Sequence, residues 1–322
     1  MIKETAYLVA IEIGGTKLQA VLGLADGTIV ESRRGRVNPE EGAAGILEWC
    51  RTNCAALIEK ATASGKTVQA IGIGFGGPVE SGTGQVLVSH QIEGWQGVPL
   101  KHRFEEWFKV PAIVANDANA AGWAEYCCGA GQGTRNFVYM NIGSGIGGAL
   151  VVEGQLYDGQ GRGACEIGHT WVPDWTSGDV GAVDKLEHLC SGWAIERRIR
   201  SAAPPPPGTP LYERCDGDPA RLSCALLAEA AREGDALALK EIRQVAASVA
   251  ISLGNVVTLF HPERIALGGG VALMGDVLIN PINEALTMRM FAPFKDSVQL
   301  VPCKLEEDVV LVGALLLAGA QP

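Results

Sequence analysis

The chain lacks a basic excess. Its 322 residues include 26 lysines and arginines against 36 aspartates and glutamates, a formal net charge of −10. Non-specific nucleic-acid binding needs a cationic footprint, so nucleic acid is not expected as a partner. No stretch approaches eighteen uninterrupted apolar residues, so no membrane span and no membrane partner is expected. The opening Met1-Ile2-Lys3-Glu4 has neither the basic lead nor the long apolar run of a signal peptide. A disulfide framework is missing too. The nine cysteines, an odd number, lie singly or as the pair Cys127-Cys128, which fits reduced thiols. Together these absences point to a cytoplasmic location. Hydrophobic residues make up 47% and charged residues 19%, ordinary for a globular protein, and the length suffices for two domains.

What is present is organised around Asn136 to His169. An apolar run, Phe137 to Ile142, breaks on Gly143-Ser144-Gly145 and resumes at Ala149 to Val152. It turns at Glu153-Gly154 and closes on Glu166-Ile167-Gly168-His169. This reads as strand, glycine turn, strand, turn, strand. Glycine lets backbone N–H groups converge on an anion such as phosphate. Gly143, Gly145 and Gly148 also spell the dinucleotide fingerprint G-x-G-x-x-G. That motif needs a following helix, and Ala149-Leu150-Val151-Val152 is strand chemistry, so nicotinamide binding is set aside.

The same pattern stands at the start of the chain. Tyr7 to Ile13 breaks on Gly14-Gly15-Thr16-Lys17, resumes at Leu18 to Leu24 and turns at Asp26-Gly27. Two copies in matched order suggest a duplicated domain with a phosphate loop in each. Lys17 is not a Walker lysine, because G-x-x-x-x-G-K-[ST] is absent.

Elsewhere, Gly45 to Lys60 has helical spacing, with Cys50 and Cys54 as small buried hydrophobes rather than a metal pair. Val68 to Phe75 is a strand ending in Gly76-Gly77-Pro78, where a ligand can approach backbone. Ala112 to Ala115 is a short strand followed by Asn116-Asp117, an acid at the C-terminal end of a strand, where open α/β sheets bind ligands. The other reading of Asp117 is a helix N-cap and nothing more. Thr170 to Leu186 reads as irregular, and Pro204 to Pro207 as a surface loop. Asp235 to Phe260 is helical by period. Arg264 to Leu267 is a strand ending in Gly268-Gly269-Gly270, with a helix expected from Val271 onward. Val309 to Ala318 is an apolar helix expected to pack on the first half.

Five motifs in this order resemble the ROK family of sugar kinases and sugar-responsive repressors: IEIGGTK (Ile11 to Lys17), GFGGPVESGTG (Gly74 to Gly84), NDANAAGWAE (Asn116 to Glu125), the segment from Asn141 to His169, and ALGGGV (Ala266 to Val271). The resemblance spans nearly the whole chain. It implies the α/β actin/hexokinase-like ATPase fold, two ribonuclease-H-like lobes around a central cleft. The small N-terminal lobe is expected over 1–117, completed by a C-terminal helix over about 308–322, and the large lobe over 118–307. It also implies ATP with Mg²⁺ and transfer of the γ-phosphoryl to a hexose hydroxyl. By the same match Asp117 looks like the general base. Gly77, Asn116, Glu166, His169 and Glu187 look like sugar ligands. Gly14, Gly15, Thr16 and Lys17, with Gly143, Ser144 and Gly145, look like the two phosphate loops, and Gly268, Gly269 and Gly270 like the adenosine contact. Glu12 stands where most relatives carry aspartate and is the candidate for orienting Mg²⁺ through water. A homodimer is expected from the resemblance alone.

One departure stands out. Most ROK kinases follow E-x-G-H with C-x-C-G-x-x-G-C, which binds a structural Zn²⁺ together with the histidine. Thr170 to Leu186 contains no cysteine, so no zinc is expected, since a tetrahedral site needs four ligands. Cys165, His169, His188 and Cys190 are the residues that could be recruited in its place. The loop is expected to be held instead by Trp171, Trp175 and aspartate hydrogen bonds. The implied activity is that of a glucokinase-like hexose kinase, with a fructokinase or N-acetylmannosamine kinase as the near alternative. A non-catalytic sugar-binding regulator is the alternative of another class; a repressor would need a helix-turn-helix before the first phosphate loop.

Overall fold

The structure is a computed structural model that describes residues 6–89 and 92–320. Met1 to Glu4, read above for a leader, lie outside those residues. Strand β1 (Tyr7–Ile13) passes through the first glycine turn into β2 (Lys17–Leu24), and Asp26-Gly27 turns the chain into β3 (Ile29–Arg36). The Asp26 carboxylate accepts from the Thr28 N–H at 2.9 Å, and Gly27 takes the left-handed position at φ 90°. Helix α1 (Gly42–Ala63) extends past both predicted ends. Then come β4 (Val68–Phe75), the small hairpin β5 (Val79–Glu80) and β6 (Gln85–Val86), α2 (Leu100–Phe108), β7 (Ala112–Asn116) and α3 (Asp117–Cys128). The five-stranded sheet runs β3-β2-β1-β4-β7, with β1 antiparallel to β2 and parallel to β4, and β4 parallel to β7.

The second copy repeats this order. It uses β8 (Phe137–Ile142), β9 (Ile146–Val152) and β10 (Gln155–Leu156). A second hairpin follows, β11 (Trp171–Pro173) with β12 (Val183–Lys185). Helices α4 (Leu186–Cys190), α5 (Gly192–Arg200), α6 (Pro210–Cys215), α7 (Cys224–Arg232) and α8 (Ala236–Phe260) lead to β13 (Arg264–Gly268), α9 (Asp276–Arg289) and β14 (Gln299–Pro302). The chain ends in α10 (Val309–Gly319). The second sheet runs β10-β9-β8-β13-β14, with β13 parallel to both β8 and β14. The duplication read from the two glycine turns is therefore a duplication of a whole sheet.

The chain divides into two compact units, one of residues 1–132, 149–164 and 304–322, the other of 133–148 and 165–303. In the first unit β1 is buried on both faces, as a strand covered by helices on each side must be. Val9, Ile11 and Ile13 meet α1 through Ile46, Leu47, Cys50, Cys54 and Leu57. Leu8 and Ala10 meet Leu311, Ala314, Leu315 and Ala318 of α10, so the C-terminal helix does pack on the first sheet. Two glycines allow its close approach: a Cβ on Gly72 would lie 2.0 Å from the Ala314 carbonyl oxygen, and one on Gly313 1.8 Å from that of Ala120 in α3. In the second unit α8 has the length and mean hydropathy of a membrane span, 1.4 over its best window, but 61% of that window is buried inside the protein. It is a core helix, lined by Val245, Val249, Leu253 and Val257.

Two local expectations are corrected. Thr170 to Leu186 is not wholly irregular, because β11 and β12 pair antiparallel across it. The glycine run after β13 opens a 3-10 turn, Ala272–Met274, and α9 begins only at Asp276 behind Gly275.

Candidate functional site

In the first unit three parallel strands end in register. Ile13 is opposite Phe75, and Phe75 is opposite Asn116. Their ends are tied together, since Gly76 N–H donates to the Ile13 carbonyl at 2.8 Å and Asn116 Nδ2 donates to the Gly77 carbonyl at 3.1 Å. This edge is where a parallel α/β sheet presents ligand-binding groups. Asp117 stands on it as the first residue of α3. The cap of that helix is Asn116, not Asp117: Asn116 Oδ1 accepts from Ala118 N–H at 2.9 Å and Asn119 N–H at 3.2 Å. Asp117 Oδ1 accepts from Ala118 N–H at 2.8 Å, and a Cβ on Gly76 would sit 3.4 Å from Asp117 Oδ2. The carboxylate thus lies against the bare backbone of Gly76-Gly77. Asn116 has spent both acceptor positions and one of its two donors, so it can offer a ligand a single N–H.

The first glycine turn closes on itself through Gly14 N–H to the Lys17 carbonyl at 3.1 Å, and Thr16 accepts from Val37 N–H at 3.1 Å. Glu12 is held at its base, Oε2 accepting from the buried Gln19 at 2.9 Å and lying 3.6 Å from Lys17 Nζ. Lys17 is opposite Arg36 in the β2–β3 ladder, and Gln19 opposite Arg34. A cavity of about 610 Å³ opens there, lined by Thr16, Lys17, Arg34, Gly35 and Arg36. Backbone N–H groups of a glycine turn beside three cations suit a polyanion.

The second unit gathers Gly143, Ser144, Gly145, Glu166, His169 and Glu187. Gly143 N–H donates to the Gly145 carbonyl at 2.9 Å, and the Gly143 carbonyl accepts from Gly192 N–H at 2.7 Å. Glu187, on α4, accepts the Ile146 N–H at Oε2, 2.7 Å away. A Cβ on Gly145 would lie 2.7 Å from that same oxygen. Glu166 precedes and His169 ends a 3-10 turn, Ile167–His169, and both are exposed. The turn is seated by Gly168, where a Cβ would come within 2.3 Å of the Ile146 carbonyl oxygen. Gly148 is also a packing glycine, 2.7 Å from the Cys165 carbonyl at its would-be Cβ, and it lies inside β9. A strand follows that glycine run, so the dinucleotide fingerprint has no helix to serve it. Of Gly268 to Gly270, the first two are packed: a Cβ on Gly269 would lie 2.1 Å from Asn141 Oδ1, while Gly270 faces open space.

The residues that could replace a zinc set have other occupations. Among the described residues no group of three or more His, Cys, Asp and Glu side chains is placed to hold a metal ion. Burial pushes the Cys165 and Cys190 thiols up to about 12, and Cys190 Sγ donates to the Val245 carbonyl at 3.8 Å. His188 Nδ1 bonds Asp184 Oδ1 at 2.8 Å, and His169 Nδ1 faces Lys185 Nζ at 3.1 Å. The donor set does not fit zinc. The 170–186 loop is held otherwise. Trp175 Nε1–H donates to Ser248 at 3.1 Å under the Arg198 guanidinium, 4.4 Å above its ring, and the hydroxyls of Thr170 and Ser252 are 2.7 Å apart. Asp174 accepts from Thr176 at 2.6 Å. Trp171, expected to help, is 62% exposed.

Sequence reasoning missed Glu125 and Lys185. Glu125 is fully buried on α3 and accepts from the N–H groups of Ala130 at 2.7 Å, Lys304 at 3.0 Å and Leu305 at 2.6 Å. Its sequence signal was an acid in the interior of α3, beyond the alanines of its first turns. Lys185 has no local signal.

The ROK family model matches residues 8–321. A glucokinase from Streptomyces coelicolor is 30% identical over 319 residues, covering 96% of each chain. The crystal structure of a ROK family glucokinase from Streptomyces griseus, in complex with glucose and AMPPNP, superposes with a TM-score of 0.78 at 30% identity. The match covers 97% of this chain and 99% of that one. A xylose repressor from Caldicellulosiruptor bescii is 24% identical, matched over 97% of this chain and 78% of its own length. The α/β fold with two like sheets is that of the actin/hexokinase-like sugar kinases.

Proposed function

The chain belongs to the ROK family, and on that premise we propose that it is an ATP-dependent hexose kinase converting glucose to glucose 6-phosphate. The observation that carries the reading is Asp117. Its carboxylate stands at the C-terminal end of β7 over glycine backbone, while the capping duty that would otherwise explain it belongs to Asn116. In phosphoryl transfer the enzyme positions, neutralises charge and receives one proton. Asp117 accepts the proton of the attacking hydroxyl, a role worth about 10²–10⁴ in rate. Gly77, Asn116, Glu166, His169 and Glu187 hold the other hydroxyls, Asn116 through one N–H only. Gly14 to Lys17 and Gly143 to Gly145 hold the phosphates, through turn N–H groups other than those of Gly14 and Gly143, which close the turns themselves, and Gly268 to Gly270, with Gly270 open, receive the adenosine.

Mg²⁺ fits the donor chemistry of the first unit, where Glu12 offers a carboxylate oxygen at the base of the phosphate turn. Glu12 would hold it through water; when bound, the ion neutralises phosphate charge. Glucose is preferred because relatives named glucokinase reach 30% identity over nearly the whole chain. A fructokinase or N-acetylmannosamine kinase shares the mechanism and differs in sugar contacts. A cytoplasmic homodimer belongs to the same reading, the location supported by cysteines that stand as thiols.

The test is ADP release coupled to a reporter, with Mg²⁺-ATP and glucose, fructose, mannose, N-acetylglucosamine and N-acetylmannosamine in turn. Turnover on glucose supports the proposal. Turnover on another sugar alone moves the substrate and keeps the chemistry. Calorimetric sugar binding without turnover on any of the five overturns it in favour of a sugar-binding regulator.

A further inference from the structure

We infer that Lys185 is the positioning residue of His169, holding its ring in the one neutral tautomer that presents a donor to the sugar. The inference rests on His169 being a sugar ligand, as proposed above. Lys185 Nζ lies 3.1 Å from His169 Nδ1. An ammonium carries three donors and no acceptor, so Nδ1 must be the acceptor and Nε2 must carry the ring proton. A histidine in that state offers Nε2–H to a hydroxyl oxygen and cannot accept there.

The pairing is built by the hairpin. Trp171 is opposite Lys185 in the β11–β12 register, so His169, two residues before Trp171, lies diagonally across from Lys185. Both backbones are fastened: His169 N–H donates to the Glu166 carbonyl at 3.0 Å, and Leu186 N–H to the Thr170 carbonyl at 2.9 Å. Thr170 is tied in turn to Ser252 of α8. Asp184, the neighbouring acid, directs Oδ1 to His188 Nδ1 and to the Lys185 N–H, 2.8 and 2.7 Å away. The ammonium is thus turned to the histidine by a braced loop, in a chain whose donor set does not fit a metal on that nitrogen. Partners that orient a metal-ligating histidine are worth about 10–100-fold in affinity or activity, and the lower end of that range is the scale expected where the ligand is a sugar hydroxyl.

The test pairs ring ¹⁵N NMR of His169, assigned by its loss in His169→Gln, with sugar kinetics of Lys185→Met and Lys185→Arg. The wild type is expected to show a neutral ring protonated on Nε2. Lys185→Met is expected to populate the other tautomer and to raise the sugar KM about tenfold with kcat near wild type. Lys185→Arg, which still donates, is expected to restore both. An unchanged tautomer in Lys185→Met overturns the inference. A changed tautomer with an unchanged sugar KM upholds the lysine–histidine bond and overturns instead the assignment of His169 to the sugar.

Discussion

The two sheets carry the same strand order, and comparing their matched positions separates what the fold needs from what chemistry needs. The first strand of each ends in a glycine turn, and its last carbonyl accepts from the chain that leaves the fourth strand: Ile13 from Gly76, Ile142 from Val271. At the fifth strand the copies part. β7 delivers Asn116-Asp117 onto a helix, whereas β14 delivers Cys303, whose N–H donates to the Leu267 carbonyl at 2.9 Å. The turns differ as well. Gly14 to Lys17 is held by its own bond and one to Val37, while Gly143 to Gly145 is gripped by Gly192 and by Glu187 at Ile146. The two copies share these hydrogen bonds, and the proposed function divides the labour between an acid on one copy and a braced loop on the other.

The largest expected effect breaks the symmetry at the fifth strand. Asp117→Asn keeps the shape and removes the base; kcat is expected to fall about 10²–10⁴-fold, with calorimetric sugar affinity within a few-fold of wild type. Cys303→Ser, at the residue that follows β14, is expected to leave kcat within about twofold. Equal losses in the two variants would mean that the acid serves folding, and the division of labour would fail.

The next effect sharpens the contrast between the glycine runs that follow the fourth strand of each copy. Gly269 has φ 87°, and its would-be Cβ lies 2.1 Å from Asn141 Oδ1 and 2.5 Å from the Ile142 carbonyl. Gly269→Ala is expected to cost about 1–3 kcal/mol in stability, read as a lowered Tm. At Gly76 the nearest atoms are 3.3 and 3.4 Å from the would-be Cβ, the second being Asp117 Oδ2. Gly76→Ala is therefore expected to change Tm by less than Gly269→Ala does and to lower kcat/KM by more. The reverse ranking would sink the reading of the first run as the substrate side.

Strand ends and glycine turns were legible in the sequence because apolar period and glycine placement are local signals. β1, β4 and β8 begin and end where those runs do. The candidate acid was legible for the same reason, and so were Cys50 and Cys54 as core residues, both fully buried. What stayed hidden depends on residues far apart in the chain. Glu125 looks like one more helical acid until the N–H groups of Lys304 and Leu305 come back to it. The β11–β12 hairpin has three-residue strands, too short for a period-two pattern to declare itself. Lys185 acquires its partner only through that hairpin's register.

The first copy has α1, and among the described residues no hairpin, between its third and fourth strands, and the acid of the β11–β12 hairpin gives the smallest test of the comparison. The Thr176 hydroxyl, aided by the backbone N–H groups of Thr176 and Ser177, holds the Asp174 carboxyl below the usual carboxylate range. A depressed native pKa means that the ionised form is the one the fold favours. The contribution is present above the unfolded value, near 4, and is lost as pH falls through the lower folded value. Asp174→Asn is expected to lower Tm by about 1–2 °C at pH 7, a surface-sized effect. The gap from wild type is expected to close as the pH is taken well below 4. A gap that stays constant from pH 7 to pH 3 would assign the loss to packing instead of charge. The hairpin would then rest on Trp175 under Arg198 and on the Thr170–Ser252 bond, with no part for the carboxylate.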